Sequence, residues 1–381
     1  NASSSKEKTI NIYGGTYTSS SGKPVLQASG GNFTVYMIVN LYGKTNFDGV
    51  AKLNQCQLYL QDSVKVKYMD ASNSASIRVD ENWRGTATVD YFNEYKETYI
   101  SEYNGRSTGD FVGGLMMADG RRLVGESGKL RIVEAGQLFL NEQNQGYCEA
   151  CNKIVTWTAV NGQQDIGDFA DGGHHHYYLS GDLQMPDTLA QMLSISNTKL
   201  CLHLNGKNMV YGGRILVEDG AVLNILGEGN VTFTADSTAD GEDNKIAGLY
   251  STGDTELNLL GGTYSVSGKA LEQGKPVIYA LGSVLIKNAQ VKGLADVREG
   301  TLRLDAAAEV DKIVVGTAGQ LDLADSWAGI AKACFAKLTG NTIPAGNLAG
   351  TAYTGSLTLT DGRAVTGREI FGEKVDANLT Y

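Results

Sequence analysis

The sequence predicts an all-β fold, a right-handed parallel β-helix (solenoid), with a few short helices or loops on its flank. Three observations predict it: short alternating strands, Gly, Asp and Asn at the strand ends, and a long internal repeat. Apolar residues at positions i and i+2 turn one face inward and leave the other face for polar residues. Two-residue hairpin signals are scarce between these strands, which favours stacked rungs over the alternative, an array of β-sandwiches.

The internal repeat relates the first third of the chain to its last two-fifths. Each copy contains, in the same order, Gly-Gly-Thr-Tyr, Gly-Lys-Pro-Val, a Trp and Asp-Gly-Arg. The matching segments are 9–17 with 256–264, 22–25 with 274–277, 76–83 with 320–327, and 113–125 with 355–367. A repeat of this length is typical of an elongated stack, in which each rung needs only its neighbours to cover its apolar face.

The repeat also predicts how the chain is divided. Residues 1–133 are the C-terminal part of a first β-helix repeat unit, and residues 183–381 form a second unit. Residues 134–182 form a join that contains cysteines and histidines. Because the sequence begins within a repeat, we expect it to be a piece of a longer protein whose targeting signals lie elsewhere.

Composition excludes some classes of partner. The 381 residues carry a formal net charge of −10, so their surface would repel a phosphate backbone and nucleic acid is not expected as a partner. No apolar run approaches the roughly 20 residues of a membrane span, so this segment is not expected to cross a membrane.

The motif that most resembles a chemical site is Cys148-x-x-Cys151. Zinc takes four tetrahedral ligands, and this spacing supplies two of them from one turn. Three of the chain's four histidines lie in one nearby run, which includes His174 and His176. These four residues are therefore the predicted metal ligands, with zinc as the candidate ion and with His175 and Cys201 as further candidate ligands. A disulfide between the first two cysteines, and free thiols in a structural cap, are the alternatives.

The other three cysteines are expected to be part of the hydrophobic interior. Cys56, Cys201 and Cys334 each lie in an apolar stretch, which predicts small buried hydrophobic side chains. Trp83 and Trp327 occupy equivalent places in the two copies of the repeat, so we expect them to pack in the interior.

Two segments carry helix signals. Residues 326–337 have apolar residues at helical spacing after a Ser, which predicts a short helix or a loop beside the solenoid. Residues 189–193 would form a single helical turn.

A tyrosine-rich stretch is the candidate ligand-binding element. It carries Tyr91, Tyr95, Tyr99 and Tyr103 at a spacing of four. In a solenoid loop these rings would offer flat faces to the C–H face of a sugar, beside carboxylates for its hydroxyl groups. The alternative is that the tyrosines cover the apolar flank of the solenoid.

The join and the second unit carry five motifs in order: Cys148 with Cys151, 155–158 (VTWT), 172–182 (GGHHHYYLSGD), 201–208 (CLHLNGKN) and 214–229 (RILVEDGAVLNILGEG). In these motifs the chain resembles large repetitive surface proteins of gut Firmicutes, which carry right-handed parallel β-helix (pectate-lyase-like) repeats. This chain departs from the pattern in having three histidines in the run. The resemblance implies an extracellular location at a bacterial cell surface. It also implies adhesion to host or dietary glycans or to other surface proteins.

The expected function is a non-catalytic stalk or adhesin segment that can bind glycans. The alternative is a carbohydrate-active enzyme of the β-helix class, a polysaccharide lyase or a glycoside hydrolase. Such an enzyme needs carboxylates gathered in one groove, or calcium-binding aspartates beside a basic residue. The acidic residues here are scattered, and no recognisable lyase or hydrolase motif is present, which favours the non-catalytic interpretation.

Overall fold

The structure is a computed structural model, and it is built almost entirely of β-strands. It describes residues 6–19, 22–29, 35–72, 75–91, 105–107, 114–117, 121–126, 129–162, 165–185, 192–234, 248–338, 343–350, 352–371 and 374–380. The chain forms two compact units, Asn1–Trp157 and Thr158–Tyr381, which are described in turn. No helix in the described part of the chain is long and apolar enough to cross a membrane.

The first unit is organised around parallel strands. Its strands are β1 (Lys6–Thr18), β2 (Leu26–Ser29), β3 (Val35–Asn54), β4 (Cys56–Leu60), β5 (Lys65–Ser72), β6 (Ser76–Val79), β7 (Thr86–Tyr91), β8 (Gly105–Ser107), β9 (Gly114–Met117), β10 (Arg122–Glu126), β11 (Lys129–Val133), β12 (Gln145–Cys148) and β13 (Lys153–Thr156). Strand β3 pairs in parallel with β1, β2, β4 and β5, and the ladder continues through β6, β7, β8 and β9. Among the described residues of this unit, antiparallel pairing is found in its later strands, as at β10–β11 and β12–β13.

The second unit has two long sheets. Its strands are β14 (Thr158–Val160), β15 (His174–Leu179), β16 (Leu183–Met185), β17 (Met192–Ser196), β18 (Lys199–His203), β19 (Lys207–Tyr211), β20 (Arg214–Glu218), β21 (Val222–Leu226), β22 (Gly229–Phe233), β23 (Gly248–Ser251), β24 (Glu256–Leu260), β25 (Thr263–Val266), β26 (Ile278–Ala280), β27 (Ser283–Lys287), β28 (Gln290–Val297), β29 (Thr301–Asp305), β30 (Glu309–Val315), β31 (Gln320–Leu323), β32 (Ile330–Phe335), β33 (Leu348–Ala349), β34 (Ser356–Leu359), β35 (Ala364–Phe371) and β36 (Lys374–Thr380). A short helix, α1 (Gly268–Glu272), and a 3-10 turn at Ala345–Asn347 interrupt them.

One sheet of the second unit is parallel throughout and runs β14-β15-β18-β21-β24-β27-β29-β31-β33. The other contains the remaining strands and is parallel up to β34, after which β35 and β36 pair antiparallel. In the strands from β14 to β34, inward-facing residues enter one continuous hydrophobic core, as Leu302 and Leu304 of β29 do. The structure therefore confirms the all-β class and the predicted alternation of inward and outward side chains.

Asparagine and aspartate occupy the corners between strands, as the sequence predicts. Asn197, Asn205, Asp219 and Asn288 each follow one strand, precede the next, and have φ between 48° and 54°. This left-handed conformation is tolerated best by Gly, which lacks a Cβ, and by Asn and Asp, whose short polar side chains interact with the local backbone. The corners therefore lie at residues whose side chains favour the left-handed backbone conformation.

The two copies of Gly-Gly-Thr-Tyr form the same turn. Both glycines have positive φ in each copy, and the tyrosine hydroxyl donates a hydrogen bond to the first glycine's carbonyl. The distance is 3.1 Å from Tyr17 to Gly14 and 3.0 Å from Tyr264 to Gly261. Equal local geometry at matched positions supports the alignment of the two copies.

The two matched tryptophans are also equivalent. Trp83 and Trp327 are fully buried, and each indole nitrogen donates to the carbonyl oxygen 19 residues earlier. The acceptors are Val64, at 3.0 Å, and Ala308, at 2.9 Å. The predicted packing role is therefore confirmed.

A glycine two residues after each tryptophan makes this contact possible. A Cβ added at Gly85 would lie 1.7 Å from the carbonyl oxygen of Val64, and one at Gly329 would lie 1.8 Å from that of Ala308. Real Cβ atoms never approach backbone oxygen so closely, so both positions require glycine. The recurring Trp-x-Gly is thus a packing motif of the fold.

The structure corrects the prediction made for residues 326–337. This segment contains strand β32, whose alternate residues Ala331, Ala333 and Phe335 enter the core. Cys334, between two of them, is exposed rather than buried. The small residues permitted a helical interpretation, but parallel pairing with β30 and β34 fixes an extended strand. Of the turn predicted at 189–193, residues 192 and 193 belong to strand β17, and the rest lies outside the described residues.

Candidate metal centre

The Cys148-x-x-Cys151 motif forms the tight turn between strands β12 and β13. The backbone N–H of Cys151 donates to the carbonyl of Cys148 at 3.2 Å, and Asn152, with φ 51°, returns the chain to the second strand. Cys148 is buried and Cys151 is half-buried. Two thiols that close one turn are held on the same side of it, as a metal ion requires.

Packing around the turn holds this hairpin in shape. The Tyr147 hydroxyl donates to the side chain of Asn152, which ties the two strands across the turn. Arg122 lies 5.9 Å from the Tyr147 ring centroid and donates to the carbonyl of Gln137 at 3.0 Å. Burial, followed by the nearby Glu149 carboxylate, raises the pKa of Tyr147 to about 12, so its hydroxyl stays a donor at neutral pH.

In the second unit, the parallel register places His176 beside Cys201. His176 lies on β15 directly opposite Cys201 on β18. Residues opposite each other on adjacent strands project to the same face, about 4.8 Å apart. Leu200 and Leu202 flank Cys201 and enter the core, so Cys201 itself projects from the other face of the sheet. It is nevertheless fully buried.

Cys148, Cys151, His176 and Cys201 form a cluster that could hold a metal ion. The ligand atoms, three sulfurs and one imidazole nitrogen, all lie within 4.8 Å of one another. Sulfurs bound tetrahedrally to zinc at about 2.3 Å lie about 3.8 Å apart, so closing round an ion takes movements of about 1 Å. Three of these residues are among the four predicted from the sequence. Cys201, the further candidate, completes the set.

His174, the remaining predicted ligand, lies on the same strand as His176. Its Nε2 is 3.7 Å from the Cys201 sulfur, and its ring centroid is 4.3 Å from that of His176. His175 between them contacts Asp171 instead, with Nε2 2.9 Å from a carboxylate oxygen. Because side chains alternate along β15, His174 and His176 project from one face of the sheet and His175 projects from the other.

The five cysteines all lie in the described residues and form no disulfide, so none joins Cys148 to Cys151. Cys56 is buried, as predicted, and desolvation raises the pKa of its thiol. Its sulfur lies 3.7 Å from the carbonyl oxygen of Ala28, away from any other cysteine named in the cluster.

Of the four tyrosines in the tyrosine-rich stretch, the described residues include only the first. Tyr91 ends strand β7, opposite Ala71. Tyr95, Tyr99 and Tyr103 lie outside the described residues. Their predicted role in ligand binding stays a prediction.

A polar groove lies on one face of the β16-β19-β22 sheet in the second unit. It has a volume of about 520 Å³, and its polar lining is Asp182, Gln184, Asn208, Asn230 and Thr232. The backbone N–H of Asn208 donates to Asp182 at 2.8 Å, and Asn230 donates to the Asn208 side chain at 2.7 Å. The backbone and the side chain of Asn208 both donate hydrogen bonds to Asp182. They hold the pKa of Asp182 below its usual value, so this carboxylate is charged at neutral pH. It is the single carboxylate of the lining.

Comparison of the chain with protein-family models, with curated proteins and with solved structures finds no match. Function is therefore inferred from the residues of the chain and their geometry.

Proposed function

We propose that this chain is a non-catalytic β-solenoid segment of a secreted bacterial surface protein, stabilised by a structural zinc ion. The observation that supports the zinc site is the cluster of three cysteines and one histidine. Structural zinc sites have four protein ligands, whereas catalytic sites keep one position open for water or substrate. A Cys₃His set fills all four positions, so its chemistry is that of a structural site.

The solenoid part of the proposal is supported by the parallel pairing of successive strands. Within the second unit, β18, β21, β24, β27, β29 and β31 follow one another both along the sheet and along the chain. Parallel strands of one sheet need crossover connections, and these are right-handed in about 98% of cases. A right-handed parallel β-helix is the architecture that combines these features.

Metal analysis tests the zinc site. Protein purified without chelators should contain about one zinc per chain, measured by inductively coupled plasma mass spectrometry. Cys201→Ser should lose the metal, because it removes one of four ligands. Cys334→Ser is the matched control, since this exposed cysteine lies outside the cluster and its variant should keep zinc. Wild-type protein without zinc would contradict the site.

Chelation tests whether the ion is structural. Because metal binding contributes directly to folding free energy, removing zinc should lower the melting temperature, and added zinc should restore it. Calorimetry of the holo and chelated forms measures both changes. An unchanged melting temperature after full zinc removal would contradict a structural role.

The surface role follows from the resemblance, and the polar groove of the second unit favours glycan contact as part of it. Amide and hydroxyl side chains on neighbouring strands present donors and acceptors at the spacing that sugar hydroxyl groups can use. Glycoside hydrolysis uses a pair of carboxylates, and the groove lining contains only Asp182. This arrangement favours binding without cleavage.

A glycan array, read beside an assay for released reducing ends, separates adhesion from catalysis. We expect binding of host or dietary glycans without release, and weaker binding by Asn230→Ala, which removes a groove amide. Gly253→Ala, at an open turn outside the groove, is the control. Release of sugar ends by the wild-type chain would overturn the non-catalytic proposal.

A further inference from the structure

Asn224 lies next to Cys201 on the neighbouring strand of the sheet. The two residues are opposite each other in the β18–β21 register, and Asn224 is 3% exposed. Its Nδ2 lies 3.4 Å from the Cys201 sulfur, within hydrogen-bond distance for sulfur. Leu223 and Ile225 on either side enter the core, so Asn224 projects to the same face as Cys201. A buried amide thus donates to one of the candidate metal ligands.

A second asparagine fixes the direction of this hydrogen bond. Asn258, opposite Asn224 on β24, donates from its Nδ2 to the Asn224 Oδ1 at 2.9 Å. Because that oxygen accepts from Asn258, the Asn224 nitrogen must face the sulfur. The hydrogen bonds therefore run in one direction, from Asn258 through Asn224 to Cys201.

Cys201, Asn224 and Asn258 form a row of polar residues across three neighbouring strands, and this row ends at the next strand. At the next strand, β27, the position opposite Asn258 is Leu285. Leu285 has no hydrogen-bonding side chain, so the row ends at Asn258. Burying an amide costs free energy unless its donors and acceptor are satisfied, and Asn224 has the Cys201 sulfur on one side and Asn258 on the other.

We propose that Asn224 is a positioning residue of the zinc site, which orients the Cys201 thiolate and offsets its charge. This inference rests on the proposed zinc site. Three thiolates and one neutral histidine give a zinc centre a net charge of −1, and a donated N–H partly neutralises it. Groups that hydrogen-bond to metal ligands in this way change metal affinity by about 10- to 100-fold when they are removed.

Zinc affinity measured by competition with a chromophoric chelator tests the role of Asn224. Asn224→Leu removes the donor at similar volume and should weaken zinc binding about 10- to 100-fold. Asn224→Asp keeps the shape and replaces the donor with a carboxylate oxygen, so it should weaken binding too. Asn40→Leu removes the donor of another hydrogen-bonded asparagine pair, Asn40 with Asn11, and should leave the zinc affinity unchanged.

A spectroscopic readout separates positioning from simple packing. With cobalt in place of zinc, loss of the N–H donor should shift the thiolate-to-cobalt charge-transfer band to lower energy in Asn224→Leu. The Asn40→Leu control should show the wild-type band. If Asn224→Leu does not fold, Asn224→Asp carries the same measurement.

The outcomes distinguish this inference from the zinc proposal. Wild-type zinc affinity and an unshifted cobalt band in both Asn224 variants would overturn the positioning role while leaving the metal site intact. Failure of the wild-type chain to bind zinc would instead overturn the metal site, and the positioning role with it.

Discussion

His174 and His176 occupy the same strand, two residues apart, but their surroundings differ. His176 belongs to the four-residue cluster, whereas His174 contacts the sulfur of Cys201 through its own Nε2. Because the strand alternates, both project to the same face, and the register places only His176 directly opposite Cys201. The difference leads to a prediction about which histidine binds the ion.

His176→Ala should lose zinc, because it leaves three ligands for a tetrahedral ion. His174→Ala should retain about one zinc per chain, since it removes a neighbour of the sulfur rather than a ligand. Metal content after gel filtration measures both variants. The reverse result, with metal lost only from His174→Ala, would contradict the assignment.

Trp327→Phe should destabilise the protein. It leaves the buried carbonyl of Ala308 without its indole donor, which costs about 1–3 kcal/mol, and also loses packing volume. Trp83→Phe should cost a similar amount, because Val64 is left in the same situation. Urea unfolding measures both changes. A loss in one copy without a loss in the other would show that the two contacts are not equivalent.

At the scale of elements, strand β32 shows where local patterns mislead. Trp, Ile, Ala and Phe in residues 326–337 give apolar residues at helical spacing, and alanine favours a helix by intrinsic propensity. Hydrogen bonding to β30 on one side and β34 on the other overrides that preference. Propensity is a property of neighbours in sequence, whereas these pairings join residues about 20 or more positions apart.

Charge substitutions test the strand directly. Ala331→Asp should strongly destabilise the protein, because an unpaired carboxylate would enter a fully buried site. Lys332→Asp, one residue later on the outward face, should change the free energy of unfolding by less than about 0.5 kcal/mol. Thermal unfolding of the two variants provides the comparison. Equal effects at adjacent positions would be inconsistent with an alternating strand.

At the scale of the whole molecule, buried tyrosines make stability depend on pH. Burial raises the pKa of Tyr211 to about 12 and also raises the pKa of Tyr264. In the unfolded chain both phenols ionise near pH 10. The stability that these groups contribute is therefore fully present below pH 10 and is lost as the pH rises toward 12.

Melting temperatures measured between pH 8 and 12 should fall steeply above pH 10. Tyr264→Phe should fall less steeply over that range, although it starts lower because it lacks the hydrogen bond to Gly261. Tyr13→Phe, at an exposed ring, is the control and should follow the wild type. Identical slopes for all three proteins would refute the linkage to buried phenols.

The sequence by itself determined the all-β class, the corners and the two packing tryptophans. Alternation with period two and the left-handed preference of Asn act over a few residues, so they can be recognised locally. The two tryptophans could be predicted because they recur at matched positions of the repeat. Cys148, Cys151, His174 and His176 were predicted as ligands from residue type and spacing, and three of the four belong to the cluster.

Only the tertiary structure decided which residues become neighbours across strands. The sequence left Cys201 with two interpretations, a buried hydrophobic residue or a further metal ligand, and the register decided between them by setting it opposite His176. A slip of one residue would place His175 there and reverse every face of the strand. Register depends on the connections between strands, which vary in length, and no local pattern in the sequence encodes it. Asn224 gains its role for the same reason, since its place beside the sulfur exists only after the strands have paired.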